Sequence, residues 1–198
     1  MLRSYLIKNG TLVDIHDGSE KKADILVENG IITRIEEGIE APMAEVFDAE
    51  GMYVSVGWLD SHCHFAGVGD KIGIDATEDL IRQGVTYALD LGTLGPYNYA
   101  DYRDKLLHIT DLRFKSYLYI GKYGAKGAGG AKVKDFEGPE DIDPDAVREV
   151  AKKYRHELVG LKARIDEKFC YDPVYVMDQL RSLGDELDMP IAVHAPRS

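Results

Sequence analysis

Over the first 56 positions, apolar residues alternate with polar ones in short runs. Beyond that they gather into compact clusters separated by amphipathic segments. In the first stretch, YLIKNGTLVD and ILVENGIITRIEE each place an Asn-Gly pair, Asn9-Gly10 and Asn29-Gly30, between β-rich runs. Asn-Gly tolerates the left-handed backbone of tight hairpins, so both pairs predict turns in a small antiparallel β unit. From Gly57 the pattern becomes strand and helix in alternation, which predicts βα units around a parallel sheet. The expected boundary lies between Ser55 and Gly57, giving domains 1–56 and 57–198.

Five strands are predicted in the second region, at 56–65, 84–92, 113–121, 158–166 and 190–197, with helical segments between successive ones. Asp143 or Asp145 around Pro144, and Asp172 before Pro173, suit helix starts, because a carboxylate caps free N–H groups and proline fits the first helical position. Gly84 and Gly184 suit helix ends or breaks. The stretch 121–143, GKYGAKGAGGAKVKDFEGPEDID, is too long for an ordinary connection and reads as a mobile, solvated loop at a barrel mouth. Its glycines do not have the spacing of a phosphate-binding loop.

Alternate side chains of a strand share a face, so Asp60, His62 and His64 converge while Leu59, Ser61, Cys63 and Phe65 point the other way. If the apolar set packs on helices, the imidazoles face a barrel interior at the strand's C-terminal end, where such barrels carry their sites. Paired neutral imidazoles suit a transition metal, and two histidines satisfied by carbonyls are the alternative. In ELVGLKARID the apolar face is Val159, Leu161, Ala163 and Ile165, leaving Lys162 and Arg164 inward. A buried ammonium must be paired, deprotonated or chemically altered. Pairing with Asp60 or Asp90 gives Lys162 a structural role; as a neutral amine it can add carbon dioxide and become an anionic carbamate able to bridge two metal ions. His194 in PIAVHAPRS joins the same interior face. Asp90 is inward on its strand and suits either support of a metal site or pairing with a cation. Tyr119 and Arg164 suit a substrate carboxylate, barrel packing or an internal salt bridge.

A net charge of -11 repels phosphate backbones and anionic lipid, so neither a nucleic acid nor a membrane is expected as partner. No apolar run approaches a membrane span and the N-terminus lacks the parts of a signal peptide, which predicts a cytoplasmic protein. Cys63 and Cys170 lie far apart, in keeping with a reducing compartment.

The runs VSVGWLDSHCHF, GIDATEDLIRQGVTYALDLGT, GLKARID and MPIAVHAPRS together resemble the amidohydrolase superfamily, in particular its deacetylase branch related to dihydroorotases and D-aminoacylases. The resemblance implies a TIM-barrel-type α/β fold with a β-sandwich portion at the N-terminus, formed by LIKNGTLVD and ADILVENGIITRIEE. It implies that His62, His64, a carboxylated Lys162 and His194 hold two divalent metal ions, with zinc expected. The implied reaction is hydrolysis of an amide or cyclic amide C–N bond in a small molecule, such as an N-acyl amino acid, by a metal-activated hydroxide. A mononuclear, deaminase-like member with a structural Lys162 is one alternative.

The family completes its site with a histidine from the sixth barrel strand and an aspartate from the eighth, and this sequence reaches only about five of eight units, since a full barrel takes about 250 residues. The expectation is therefore an incomplete barrel without normal turnover by itself. Its open sheet edge invites a homo-oligomer or a complementing C-terminal chain. A non-catalytic split subunit is the other alternative.

Overall fold

The computed structural model describes residues 3–65, 73–109, 111–126 and 134–195, the Ile109 side chain excepted. The chain divides into two compact units, Met1–Val56 and Gly57–Ser198. The first holds five strands: β1 (Ser4–Val13), β2 (Glu20–Glu28), β3 (Ile31–Glu36), β4 (Glu45–Asp48) and β5 (Tyr53–Val54). Their sheet order is β3-β2-β1-β4, with β5 also beside β1. The first three strands are antiparallel, as the sequence predicts, whereas β4 and β5 run parallel to β1, so the sheet is mixed. Leu6, Leu26 and Ile39 form its buried cluster, with Ala41 and Ala44 packed alongside.

The two Asn-Gly pairs have different fates. Asn29 (φ 56°) and Gly30 (φ 79°) make the two-residue turn between β2 and β3. Asn9 (φ 61°) instead lies inside β1, where the register with β2 shifts between Ile7 and Gly10. The predicted turn there is a bulge. Its extra residue is held by Asn9 N donating to Asp24 Oδ1 at 2.8 Å and Asn9 Nδ2 donating to Asp48 Oδ1 at 2.9 Å. A Cβ on Gly10 would fall 2.6 Å from Val54 Cγ2, so the strand can pass only without one.

In the second unit, β6 (Trp58–Cys63), β7 (Val85–Leu91), β8 (Arg113–Tyr119), β9 (Leu158–Arg164) and β10 (Ile191–His194) pair in chain order, all parallel. A curled sheet of sequentially ordered parallel strands is the inner wall of a (β/α) barrel, here five strands of it. Helices α1 (Tyr99–Ile109), α2 (Pro144–Lys153) and α3 (Pro173–Leu187) follow β7, β8 and β9. Between β6 and β7 the described helical part is shorter, a π-type turn Ala76–Leu80 capped by Asp75 and a 3-10 turn Ile81–Gln83 closed by Gly84 at φ 85°.

Asp143 caps α2 by accepting from Ala146 N at 3.1 Å, and Asp172 caps α3 by accepting from Val174 N and Tyr175 N at 3.0 Å, each just before the predicted proline. Val147, Ala151, Val176, Leu180 and Leu183 turn the helices' apolar faces into one core with Leu118, Leu161 and Ala163 of the sheet. Gly184 lies near the end of α3, as expected. It sits within the helix, where an added Cβ would meet Ile191 Cγ2 at 2.6 Å, so its role is close packing on β10.

Of the Gly-rich stretch, residues 127–133 lie outside the described residues, and the expectation of a mobile loop falls on them. Its described flanks are packed rather than solvated. Phe136 is fully buried, its N–H donates to Phe169 O at 2.9 Å, and its carbonyl accepts from Tyr171 N at 2.8 Å.

Candidate metal centre

β6 delivers His62 and His64 at its C-terminal end, their ring centroids 5.8 Å apart and the planes inclined by 66°. The strand does not continue regularly to that point. Its register with β7 shifts between Asp60 and Cys63, and Asp60 Oδ1 turns back to accept from His62 N at 2.9 Å. Cys63, between the imidazoles, is buried with Sγ 3.5 Å from Leu89 O. Burial, with the Asp60 and Asp90 charges, pushes its thiol up to about 12, so it offers no thiolate to a metal.

His64 is half-buried and tied to β7. Its Nδ1 lies 2.8 Å from Thr93 Oγ1, which donates to Asp90 Oδ2 at 2.8 Å; Asp90 also accepts from Thr93 N at 2.8 Å and from Phe65 N at 3.1 Å. Asp90, only 1% exposed, thus fastens the loop after β7 to the end of β6. Desolvation holds His64 below the ordinary imidazole range against the opposing pull of Asp90, and the charges of His62, Lys162 and Arg164 push the same way as desolvation. His194, at the end of β10, is lowered likewise by desolvation and then by Lys162, Arg164 and His62. His64 and His194 thus each feel Lys162, Arg164 and His62, and both lowered imidazoles favour the neutral, ligand-competent form.

Lys162, in the C-terminal half of β9 between β8 and β10, is 4% exposed. Desolvation, then the Arg164 charge, lowers its pKa. Among the described residues no hydrogen bond or ion pair of its ammonium is found. Gly92 makes its place. With φ +82°, Gly92 lies where a Cβ would come 2.6 Å from Lys162 Cβ and Cγ. Gly92→Ala should therefore cost about 1–3 kcal/mol through left-handed strain and displacement of the lysine stem; urea denaturation checks this, and an unchanged midpoint contradicts it.

Arg164 and Tyr119 are engaged elsewhere. The Arg164 guanidinium forks onto Asp135, Nε to Oδ2 at 2.6 Å and Nη2 to Oδ1, while Nη2 also donates to Lys126 O at 2.9 Å. Its face lies 3.9 Å from the Phe169 ring centre. Tyr119 donates to Asp135 Oδ2 and accepts from Arg164 N at 3.0 Å. Burial, then the Asp135 charge, keeps its phenol far above the usual range, hence protonated and donating. The internal salt bridge is the arrangement found: the fork suited to a substrate carboxylate is filled by the chain's own Asp135.

Sequence reasoning did not single out Asp135, Thr93 or Gly92. An inward arginine demands a carboxylate, and the Asp-x-x-Thr spacing of 90 and 93 lets one side chain cap the other's N–H. Those were the signals available. Among the described residues no three His, Cys, Asp or Glu side chains gather closely enough to hold a metal by themselves. The structure brings His62 and His64 together, with Lys162 on β9 and His194 on β10 of the same sheet. Imidazoles beside a buried lysine amine are donor types that fit a divalent metal.

A curled parallel βα sheet with its strands in chain order has the fold of a (β/α) barrel wall. No protein-family model matches the chain. A deacetylase from Agrobacterium fabrum is 29% identical over 182 residues, covering 89% of this chain and 44% of that protein. A dihydroorotase from Ruminiclostridium cellulolyticum is 42% identical over 64 residues, 32% of this chain and 15% of that one. Among solved structures, a dihydroorotase superposes with a TM-score of 0.85 at 26% identity, over 96% of this chain and 50% of that chain. An adenine deaminase shares the fold with a TM-score of 0.81 at 22% identity, over 99% and 51%. These relatives and structural neighbours are amidohydrolase-superfamily proteins, and the chain is similar to them in sequence and fold. It spans less than half the length of the curated deacetylase that it matches.

Proposed function

We propose that the chain carries the N-terminal share of a binuclear metal centre that hydrolyses a non-peptide C–N bond, amide or cyclic amide, in a small molecule such as an N-acyl amino acid. The observation that carries this reading is Lys162, buried at 4% exposure with its ammonium unpaired among the described residues. Desolvation lowers the lysine's pKa and so favours the neutral amine, which adds carbon dioxide at Nζ and releases one proton, giving an anionic carbamate. His62, His64 and His194 would hold the metal ions with it. When bound, two divalent ions, zinc by expectation, supply Lewis acidity for water and for the scissile carbonyl. The chain's own part is to hold neutral imidazoles in place and to keep the lysine out of water between β8 and β10. The similarity to a deacetylase and to dihydroorotases supports the amide class over the deaminase alternative. A reducing, cytoplasmic setting accords with Cys63 and Cys170, both buried free thiols; no helix among the described residues is long and apolar enough to cross a membrane.

Cobalt titration followed by visible absorption tests the ligand set. The wild-type chain should show the intense bands of low-symmetry coordination, and His62→Ala and His194→Ala should each weaken binding more than about tenfold. Identical titrations for all three proteins would contradict the assignment.

A second reading concerns assembly. β6 and β10 each pair on one side only among the described residues, and on β6 Trp58 is 70% and Leu59 59% exposed. Unpaired edges beside apolar side chains favour association with a complementing chain or a second copy. Light scattering after size-exclusion should give a mass above that of the monomer; a monodisperse monomer contradicts this reading.

A further inference from the structure

We propose that Thr93 is a positioning residue that fixes His64 as its Nδ1–H tautomer and thereby presents the Nε2 lone pair to a cation. The inference rests on the reading of His64 as a ligand. It follows from the polarity of one hydrogen-bonded chain. Asp90 Oδ2 lies 2.8 Å from Thr93 Oγ1, and a carboxylate has lone pairs but no proton to give, so the hydroxyl hydrogen points at Asp90. Toward His64 Nδ1, 2.8 Å away, the same oxygen has only lone pairs left. A neutral imidazole carries one N–H, and here it must be on Nδ1 to donate to Thr93. Nε2 is then the unprotonated nitrogen, the atom a metal takes.

The surroundings make this arrangement stiff. Thr93 is 6% exposed and Asp90 1%. The Thr93 N–H donates to Asp90 Oδ1 at 2.8 Å, which pins the backbone so that the hydroxyl has one place to stand. Gly124, at φ +84°, lies against the Thr93 carbonyl so closely that a Cβ there would fall 1.9 Å from its oxygen. The loop after β7 is thus clamped between Asp90 and the loop after β8. A carboxylate acting on a ligand through an intervening hydroxyl orients the ring as a direct carboxylate–imidazole contact does.

The test reads nitrogen-15 shifts of the histidine rings by long-range proton–nitrogen correlation in the metal-free full chain, above the imidazole titration range, with His64 assigned by its loss in His64→Gln. His64 should show a protonated Nδ1 and an unprotonated Nε2. Thr93→Val, which keeps the backbone N–H and the shape but removes the hydroxyl, should move the population toward Nε2–H, and Thr93→Ser should restore the wild-type pattern. An Nε2–H tautomer in the wild type, or an unmoved tautomer in Thr93→Val, overturns the proposal without any metal being present. With zinc added, Thr93→Val should bind about 10–100-fold more weakly than wild type or Thr93→Ser. Equal zinc affinity in Thr93→Val overturns its role toward the metal. Absence of zinc binding in every form overturns the ligand reading itself, while the tautomer result still decides the hydrogen-bond assignment.

Discussion

Lys162→Met is expected to abolish zinc binding while leaving the fold as stable as the wild type or more so. The two effects separate because Lys162 does not support the scaffold. It is buried, desolvation disfavours its charge, and no described residue offers its ammonium a partner. A methionine of similar length fills the same space beside Gly92 and Tyr119 without a group that wants water. The denaturation midpoint should therefore hold or rise, by about 1 kcal/mol in free energy. Zinc affinity should fall more than about 100-fold, beyond the loss typical of residues that only orient ligands. Equilibrium dialysis with and without bicarbonate gives the second half of the result: the wild type should bind more zinc with bicarbonate, and Lys162→Met should not respond. A destabilised Lys162→Met with intact zinc binding would make the lysine structural.

Asp135→Ala is expected to be the most destabilising single change. It removes the partner of an arginine that is 7% exposed, and it strips acceptors from Tyr119 and from Lys126 N, which donates to Asp135 Oδ1 at 2.7 Å. Leaving a buried guanidinium without its carboxylate costs about 3–5 kcal/mol. The double change Asp135→Leu with Arg164→Met should recover most of that loss, because the cost lies in the stranded charge rather than in the missing attraction. Urea denaturation of the single and double variants decides it. A mild effect of Asp135→Ala, below about 1 kcal/mol, would mean that the ion pair is open to water in solution.

The five parallel strands were legible because each is a short apolar cluster with period-two alternation, a local property. The caps at Asp143 and Asp172 were legible for the same reason, since an Asp-Pro step states its own backbone geometry. Asn9-Gly10 misled because left-handed tolerance serves a bulge as well as a turn; only the continuation of β1 against β2 beyond Ile7 distinguishes them, and that pairing is non-local. Gly184 lies near the end of α3 as expected, but its packing role was not legible, because the side chain it accommodates, Ile191, belongs to the next strand. In the candidate site, His62, His64, Lys162 and His194 stood out by strand position. Arg164 did too, yet its partner Asp135 sits in a Gly-rich stretch with no periodicity, so nothing local marks it as buried. The Asp90–Thr93–His64 chain needed coordinates as well, since it joins the ends of two strands.

The central claim, that His62, His64, Lys162 and His194 supply the N-terminal share of one binuclear site, is tested most directly by metal content. The wild-type chain, incubated with zinc and bicarbonate and then desalted, is analysed by inductively coupled plasma mass spectrometry. About two zinc ions per chain are predicted, as for a paired-metal site. A chain that emerges without bound zinc, or with the same zinc content as Lys162→Met, would contradict the account.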